Sequence, residues 1–240
     1  MTYDRGLVPD DALPDWLRPV AEVGRRIDSP RFLSPSMPEA PSTARPAAVL
    51  VLFGEGESGP DLLLTERAHA MRSHAGQIAF PGGATDPEDS GPVATALREA
   101  EEEVGLDPDG VDVFASLPRL WLPPSNFAVT PVLAWWRRPS AVRAVDPAEV
   151  ETVFRSPVDE LTDPAHRFSV SHPSGWLGPG FAVNGNLILW GFTAGIVSRL
   201  FRAAGWERPW DADRVVPYPG SARDPLVEEI ETDAARGRRR

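Results

Sequence analysis

The sequence predicts an α+β domain with a mixed β-sheet, because strand-like and helix-like segments follow one another without a regular βαβ repeat. Residues 47–53 form a continuous apolar run between a proline and a glycine, which is typical of a strand buried on both faces. Residues 91–104 carry an apolar stripe with helical spacing. With 42% hydrophobic residues, a chain of 240 can form one sizeable core or at most two small ones, and we expect one main domain over residues 47–202.

The two ends of the chain predict irregular structure. The first 46 residues contain eight prolines, well above the average of about 5% for proteins. One short helix fits between residues 15 and 27, and we expect residues 28–46 to be extended over the domain or mobile. Residues 203–240 mix proline, glycine and charge and end in Arg-Gly-Arg-Arg-Arg, which indicates an irregular, partly disordered and solvated tail.

Further elements are predicted inside the central domain. Strands are expected at residues 62–66, 111–117 and 129–136, and helices at residues 146–154 and 187–201. The turn at 54–59 fits the pattern G-x-G-x-x-G, which in dinucleotide-binding folds joins a strand to a helix. Here Pro60 and another strand follow the turn, so we interpret it as a loop between two strands.

The composition excludes several classes of function. The chain has no cysteine, which excludes disulfides, thiol nucleophiles and cysteine-ligated metals and leaves the chemistry to oxygen and imidazole groups. Its net charge of −11 disfavours binding to nucleic acids and anionic membranes, and no apolar run approaches the roughly 18 residues that span a bilayer. The amino terminus lacks the basic start of a secretion signal, so we expect a cytoplasmic protein.

The strongest chemical signal lies in the predicted helix 91–104. Its apolar stripe consists of Val93, Leu97, Ala100 and Val104. Glu99, Glu102 and Glu103 project from the other side, where their β-carbons lie about 5–6 Å apart. Like charges at this spacing destabilise a helix, so the three glutamates require an offsetting cation. Mg²⁺, which prefers oxygen ligands, would supply that charge, and the alternative is a solvated, glutamate-rich helix.

The helix ends in the run Arg98-Glu99-Ala100-Glu101-Glu102-Glu103-Val104-Gly105-Leu106, and the pair Gly82-Gly83 precedes it. This arrangement resembles the box of Nudix hydrolases, G-x5-E-x7-R-E-U-x-E-E-x-G-U, where U is apolar. The second half matches at every specified position when Ala100 is accepted as apolar. The first half departs from the box, because Asp89 stands in the place of glutamate and the interval to Arg98 is one residue longer.

A second pattern lies upstream of the helix. It reads Leu63-Leu64-Thr65-x-Arg67-Ala68-x3-Arg72-x3-Gly76-x3-Phe80-Pro81-Gly82-Gly83. This pattern closely resembles the signature of the coenzyme A pyrophosphatase branch of Nudix hydrolases, which also tends to carry the lengthened, aspartate-containing first half of the box. The segments 127–132, 149–150 and 189–194 are similar to the same branch, so the resemblance covers residues 47–200. It implies a Nudix-type α/β/α sandwich with a mixed sheet.

The resemblance implies a role for each matched residue of the helix. Glu99 and Glu103, together with Glu102, would bind a divalent metal ion, Mg²⁺ or Mn²⁺. Glu99 or Glu102 would orient or deprotonate the attacking water, and the sequence does not separate these two roles. Arg98 would anchor the helix by pairing with a nearby carboxylate or backbone oxygen. Asp89 is a further candidate at the position where the box departs.

Substrate-binding residues are implied outside the helix. Arg67 and Arg72 would bind phosphate, because a guanidinium can hold phosphate oxygens in a bidentate manner, whereas an isolated arginine ordinarily forms a surface salt bridge. Gly82 and Gly83 would allow close approach of the substrate. Glu149 would serve as a further ligand or base, or alternatively as an ordinary acid in the first turn of helix 146–154.

The implied reaction is metal-dependent hydrolysis of the diphosphate of coenzyme A, which gives 4′-phosphopantetheine and adenosine 3′,5′-bisphosphate. The alternatives are a Nudix hydrolase of ADP-ribose, NADH or a nucleoside triphosphate, and a non-catalytic module that senses a nucleotide. The expected partner is a small-molecule nucleotide rather than nucleic acid or a membrane. A homodimer is compatible with the sequence, although no residues mark its interface.

Overall fold

The computed structural model describes residues 6–34, 37–71, 74–123, 125–173, 175–185 and 187–219. In this part of the chain there are four α-helices and twelve β-strands, together with short 3₁₀ turns. In chain order they are α1 (Arg18–Arg26), β1 (Arg45–Gly56), β2 (Gly59–Arg67), β3 (Ile78–Ala79), β4 (Gly82–Ala84), α2 (Pro92–Val104), β5 (Val111–Ser116), β6 (Leu120–Leu122), β7 (Phe127–Trp136), β8 (Val150–Pro157), α3 (Val158–Thr162), β9 (Arg167–Ser171), β10 (Leu177–Val183), β11 (Leu187–Leu189), α4 (Gly191–Ala203) and β12 (Val215–Pro217). The predicted α+β class is confirmed.

The chain divides into two compact units. The first comprises residues 1–55 and 80–146, and the second comprises residues 56–79 and 147–240. The limits of these units do not coincide with the domain boundaries predicted at residues 46 and 202. Those boundaries stay a prediction.

The first unit is built around the apolar strand that the sequence predicts. β1 is parallel to β7 and antiparallel to β4, and β7 also pairs with β5 and β6 in antiparallel orientation. Residues 50–53 of β1 are fully buried. Successive side chains of a strand point to opposite faces, so this burial means that both faces of β1 are covered.

The helix of the amino-terminal arm belongs to the core of the first unit. Leu17, Val20 and Ala21 are fully buried. Gly24 of α1 lies so close to the sheet that a β-carbon there would be 2.7 Å from Cδ1 of Leu133. The predicted helix between residues 15 and 27 is confirmed. It packs closely on β5 and β7, and this close approach requires a small residue on the side of α1 that faces the strands.

The second unit contains two groups of paired strands. β2 pairs with β3 and β8 in antiparallel orientation. The other group is a four-stranded sheet in the order β11, β10, β9, β12, in which β12 is parallel to β9. A small core lies on one face of this sheet, formed by Phe168, Val170, Ala182, Ile188 and Val216.

Two predicted helices are corrected by the structure. Residues 150–157 form strand β8, so the predicted helix 146–154 is wrong. This segment contains β-branched and aromatic residues that fit a strand, and its register places Phe154 opposite Leu64 of β2. The predicted helix 187–201 begins only at Gly191, because Leu187–Leu189 pair with β10. The first correction arises from a strand partner distant in sequence, and the second from a hairpin with the preceding strand.

The turn at residues 54–59 lies between two strands, as the sequence predicts. β1 ends at Gly56 and β2 begins at Gly59, so the G-x-G-x-x-G pattern does not open a helix. In the described part of the chain, none of the helices is both long enough and apolar enough to cross a membrane.

A buried arginine attaches the segment after α4 to the second unit. Arg167 is 1% exposed and lies between the rings of Phe181, at 4.2 Å, and Trp210, at 4.6 Å. Its Nη2 donates a hydrogen bond of 3.1 Å to Ser198 and lies 3.4 Å from the carboxylate of Glu207. Burial lowers the pKa of Arg167 to about 10 against the attraction of Glu207, so the side chain stays charged at neutral pH. The predicted arginine-rich end at residues 236–240 lies outside the described residues.

We predict that Arg167→Ala lowers the free energy of unfolding by about 3–5 kcal/mol, because it removes a buried cation from its contacts with two aromatic rings and with Glu207. Arg202 provides a matched control, since it binds the same Glu207 at 2.6 Å but is 59% exposed. Arg202→Ala should cost less than about 1 kcal/mol. Urea unfolding of both variants measures the difference, and equal losses would show that burial of Arg167 contributes nothing.

Candidate active site

Helix α2 presents three glutamates in different environments. Its buried side contains Leu97, Ala100 and Val104, as the apolar stripe predicts. The side chain of Glu102 is 60% exposed, whereas Glu103 is buried. α2 ends at Gly105, whose left-handed φ of 68° is the conformation expected of a glycine that terminates a helix.

Arg98 is the cation that pairs with two of these carboxylates, Glu99 and Glu102. Its Nη2 lies 3.0 Å from Oε1 of Glu99, and its Nη1 lies 2.9 Å from Oε2 of Glu102. The same guanidinium binds Asp89 through Nε at 3.1 Å and Nη2 at 3.0 Å, and donates to the carbonyl of Ala84 at 2.9 Å. The hydrogen bond to Asp89 and the charges of Glu99 and Asp89 raise the pKa of Arg98 despite its burial. These contacts agree with the anchoring role implied by the sequence.

Asp89 holds Arg98 in place. The Asp89 side chain is buried, and its Oδ2 also accepts hydrogen bonds of 2.9 Å from the backbone N–H of Asp86 and the hydroxyl of Thr95. Burial raises the pKa of Asp89, but the hydrogen bonds from Arg98, Asp86 and Thr95 outweigh this effect and lower the pKa overall. The sequence identified Asp89 as a departure from the Nudix pattern, but its partners were missed.

Strand β4 brings two glycines against the buried side of the glutamates. The N–H of Gly82 donates a hydrogen bond of 3.0 Å to Oε2 of Glu103. A β-carbon on Gly83 would lie 2.5 Å from the carboxyl carbon of Glu99. Gly82 has a φ of 154°, and a β-carbon there would clash with the backbone oxygen of Ala48. The two glycines are therefore needed for different reasons, Gly83 for the glutamate and Gly82 for the sheet.

A pair of these carboxylates fits a hard divalent cation. Glu99 and Glu103 are one helical turn apart and provide oxygen ligands beside the two glycines of β4. Mg²⁺ takes one or two carboxylates. Within the described ranges, no group of three or more His, Asp or Glu side chains is arranged to hold a metal. Glu102, the third predicted ligand, is paired with Arg98, as is Glu99. Arg98 thus supplies part of the positive charge that offsets the glutamates.

The remaining predicted residues lie in the second unit. Arg67 ends β2, and its Nε is buried with no hydrogen-bond partner among the described residues. Glu149 is exposed and precedes β8, and its carbonyl accepts a hydrogen bond of 2.9 Å from Ala68. Because the predicted helix 146–154 is absent, the interpretation of Glu149 as a first-turn acid is wrong. Arg72 lies outside the described residues.

The sequence also missed a contact at the end of β2. Glu66 is fully buried, and its Oε1 lies 3.0 Å from Nε2 of His69. The spacing of three residues brings the two side chains together, but a buried glutamate beside a strand end has no distinctive signal in a single sequence.

Comparison with known proteins identifies the family. Residues 43–174 match the family described as NUDIX domain, which is more than half of the chain. The chain belongs to the Nudix hydrolase family. It is 38% identical over 189 residues to an uncharacterized Nudix hydrolase, NudL, of Cronobacter sakazakii, and this match covers 75% of the chain and 92% of the relative. It is 35% identical over 175 residues to the mitochondrial Nudix hydrolase 15 of Arabidopsis thaliana, with 68% of the chain and 59% of the relative covered.

Among solved structures, the Nudix hydrolase RenU of M. smegmatis is similar with a TM-score of 0.49 and 19% identity, over 70% of the chain and 90% of RenU. Family membership makes the protein a hydrolase of phosphorus-containing anhydrides that acts on a derivative of a nucleoside diphosphate. Nudix hydrolases generally use divalent metal ions.

We predict that Gly83→Ala lowers kcat by about 100-fold with little loss of stability. The new methyl group would displace the end of the flexible Glu99 side chain rather than the backbone. Gly82→Ala is the matched comparison, because its methyl group meets backbone atoms and should lower the free energy of unfolding by about 1–3 kcal/mol. Kinetics and urea unfolding of both variants test whether Gly83→Ala affects mainly kcat and Gly82→Ala mainly stability. Wild-type kcat in Gly83→Ala would contradict the prediction.

We predict that Asp89→Asn lowers kcat by about 10–100-fold, since Asp89 positions the arginine that pairs with Glu99. Because the folded-state pKa of Asp89 is lowered, its contribution to stability is present above the pKa of the unfolded carboxyl, about 3.9, and is lost as pH falls through the folded value. The difference in unfolding free energy between wild type and variant should therefore shrink in acid.

The control for this prediction is Asp86→Asn, because Asp86 is exposed and its carboxylate lies 3.8 Å from Arg98. We expect nearly wild-type kcat and stability for it. Equal effects of the two substitutions, measured by kinetics and by unfolding at several pH values, would contradict a specific role for Asp89.

Proposed function

We propose that the protein hydrolyses the diphosphate bond of coenzyme A or its derivatives and gives 4′-phosphopantetheine and adenosine 3′,5′-bisphosphate. The observation that carries this choice of substrate is the pattern from Leu63 to Gly83, which resembles the signature of coenzyme A pyrophosphatases. The last two residues of this pattern contact the glutamates of α2. This contact supports a shared role of the pattern and the helix in one reaction.

The carboxylates of Glu99 and Glu103 would hold Mg²⁺ or Mn²⁺ in the proposed reaction. When bound, such an ion neutralises charge on the phosphate oxygens and orients the attacking water. Arg98, fixed by Asp89, pairs with both Glu99 and Glu102 and offsets part of their repulsion. The buried hydrogen bond from Gly82 fixes Glu103.

Hydrolysis requires a proton acceptor and a site for the phosphates. A water oxygen attacks one phosphorus of the diphosphate, the bond from that phosphorus to the bridging oxygen breaks, and the water proton passes to Glu99 or Glu102. Glu102 is the more exposed of these two carboxylates. Arg67 and Arg72 would bind substrate phosphates by charge-assisted hydrogen bonds, and the unbonded Nε of Arg67 among the described residues supports this role.

The proposal is tested by incubating the purified full chain with Mg²⁺ and coenzyme A, ADP-ribose, NADH or a nucleoside triphosphate, and by separating the products. We expect coenzyme A to be consumed fastest, with phosphopantetheine and adenosine 3′,5′-bisphosphate in equal amounts. Consumption of another compound while coenzyme A persists would overturn the choice of substrate and leave the family assignment intact.

We expect Glu99→Gln and Glu103→Gln each to lower kcat by about 100–1,000-fold, because each removes a charge from the site at which the reaction needs it. Glu101→Gln is the matched control, since it makes the same chemical change on the same helix outside the proposed set of ligands. Nearly wild-type kcat is expected for Glu101→Gln, and similar rates in all three variants would contradict the proposed roles.

A further inference from the structure

The acidic residues of α2 are concentrated in its last turn, which is the unfavourable end of a helix for negative charge. Glu101, Glu102 and Glu103 lie there, and the turn contains no basic residue. The carbonyl end of a helix carries a partial negative charge, so each carboxylate at this end weakens the turn. The last carbonyl groups of a helix also lack partners within the helix. The turn that carries Glu103 therefore requires support from outside α2.

The segment that follows β7 provides this support. Residues 138–145 are here called the bracing segment. The N–H of Val145 donates a hydrogen bond of 3.0 Å to the carbonyl of Glu103. The N–H of Arg143 donates a hydrogen bond of 3.0 Å to the carbonyl of Val104. Two carbonyls of the last turn are thus bonded to backbone N–H groups that do not belong to the helix.

The bracing segment is itself fixed farther along its length. At its start, the N–H of Arg138 donates a hydrogen bond of 3.1 Å to the carbonyl of Gly110. In its middle, the hydroxyl of Ser140 accepts a hydrogen bond of 3.1 Å from the N–H of Asp107. The segment therefore runs antiparallel to residues 103–110 and is bonded to them from end to end.

Glu103 is consequently held at two points. Its carboxylate accepts a hydrogen bond of 3.0 Å from the N–H of Gly82, and its backbone carbonyl accepts the hydrogen bond from Val145. The side chain is buried, so it cannot move to compensate for a rotation of the last turn. Fraying of that turn would displace the carboxylate oxygens from the position at which they bind a cation.

We propose that the bracing segment positions Glu103 for the binding of a divalent cation. The N–H groups of Arg143 and Val145 keep the last turn of α2 helical in spite of its charge, and thereby raise the affinity for the ion. Groups that orient a metal ligand without touching the metal commonly change metal affinity by about 10–100-fold. The inference rests on the proposed function in taking Glu103 as a metal ligand.

The test measures Mn²⁺ binding to the full chain in the absence of substrate, by electron paramagnetic resonance of the free ion. Val145→Pro removes the N–H that binds Glu103, and it should weaken Mn²⁺ binding by about 10-fold. The N–H groups of Gly105 and Leu106, which donate to carbonyls of α2, should exchange their hydrogen faster in this variant. The rate of hydrolysis should fall at low Mg²⁺ and recover at saturating Mg²⁺.

Ala144→Pro is the matched control, because it makes the same change at the neighbouring position. Among the described residues, the N–H of Ala144 donates no hydrogen bond to the backbone. Wild-type Mn²⁺ affinity is therefore expected for it. Val145→Ala keeps the N–H and should also retain the affinity. Replacement of Val145 by the corresponding α-hydroxy acid exchanges only the N–H for oxygen and should weaken binding as Val145→Pro does.

Wild-type Mn²⁺ affinity in Val145→Pro and in the α-hydroxy acid variant would overturn the proposal, as would a similar loss in Ala144→Pro. Glu103→Gln separates this failure from that of the proposed function. If Glu103→Gln binds Mn²⁺ as wild type does, Glu103 is not a ligand and both are overturned. If Glu103→Gln loses Mn²⁺ and Val145→Pro does not, only the role of the bracing segment is overturned. Because substrate is absent, neither result depends on the choice of coenzyme A.

Discussion

The ion pair between Asp89 and Arg98 is the contact on which the candidate site depends. Residues 99–103 contain four glutamates, which repel one another, and a guanidinium fixed beside them offsets part of this repulsion. Asp89 binds that guanidinium through two nitrogens, and the carbonyl of Ala84 accepts a third hydrogen bond. The loop before the helix thereby determines where the charges on the helix lie. A bidentate pair of this kind fixes direction as well as distance, which lysine at the same position could not do.

The glycines of β4 show a second constraint, which is the space around the carboxylates. A carboxylate that binds a metal ion must be desolvated on one side and open on the other. Gly83 leaves room for the carboxyl group of Glu99, and the backbone N–H of Gly82 donates a hydrogen bond to Glu103. Glu103 is thus held by the backbone, whereas Glu99 is held by the side chain of Arg98. Preorganisation of this kind lowers the cost of bringing charge together during a reaction.

Local patterns predicted the elements that local physics determines. The buried strand at 47–53 and the stripe of α2 follow from hydrophobic spacing, and both are confirmed. The predicted helix 146–154 is wrong because pairing with β2, nearly ninety residues earlier, outweighs its helical pattern. The contact between Asp89 and Arg98 crosses a loop whose geometry no spacing rule gives. Because this contact was not predicted, the charge that offsets the glutamates was attributed to a metal ion alone. In the structure, Arg98 already supplies part of that charge.

The distribution of arginine explains how an acidic protein can bind an acidic substrate. Most of the arginines that approach the core are already paired: Arg98 with Asp89, Arg155 with Asp61 and Arg167 with Glu207. Their charge is neutralised locally, so they stabilise the fold without attracting anions. Under the proposed function, a substrate with several phosphates is bound by Arg67 and Arg72 and not by these three arginines. The positive charge that orders the fold and the positive charge that would bind phosphate then belong to different side chains.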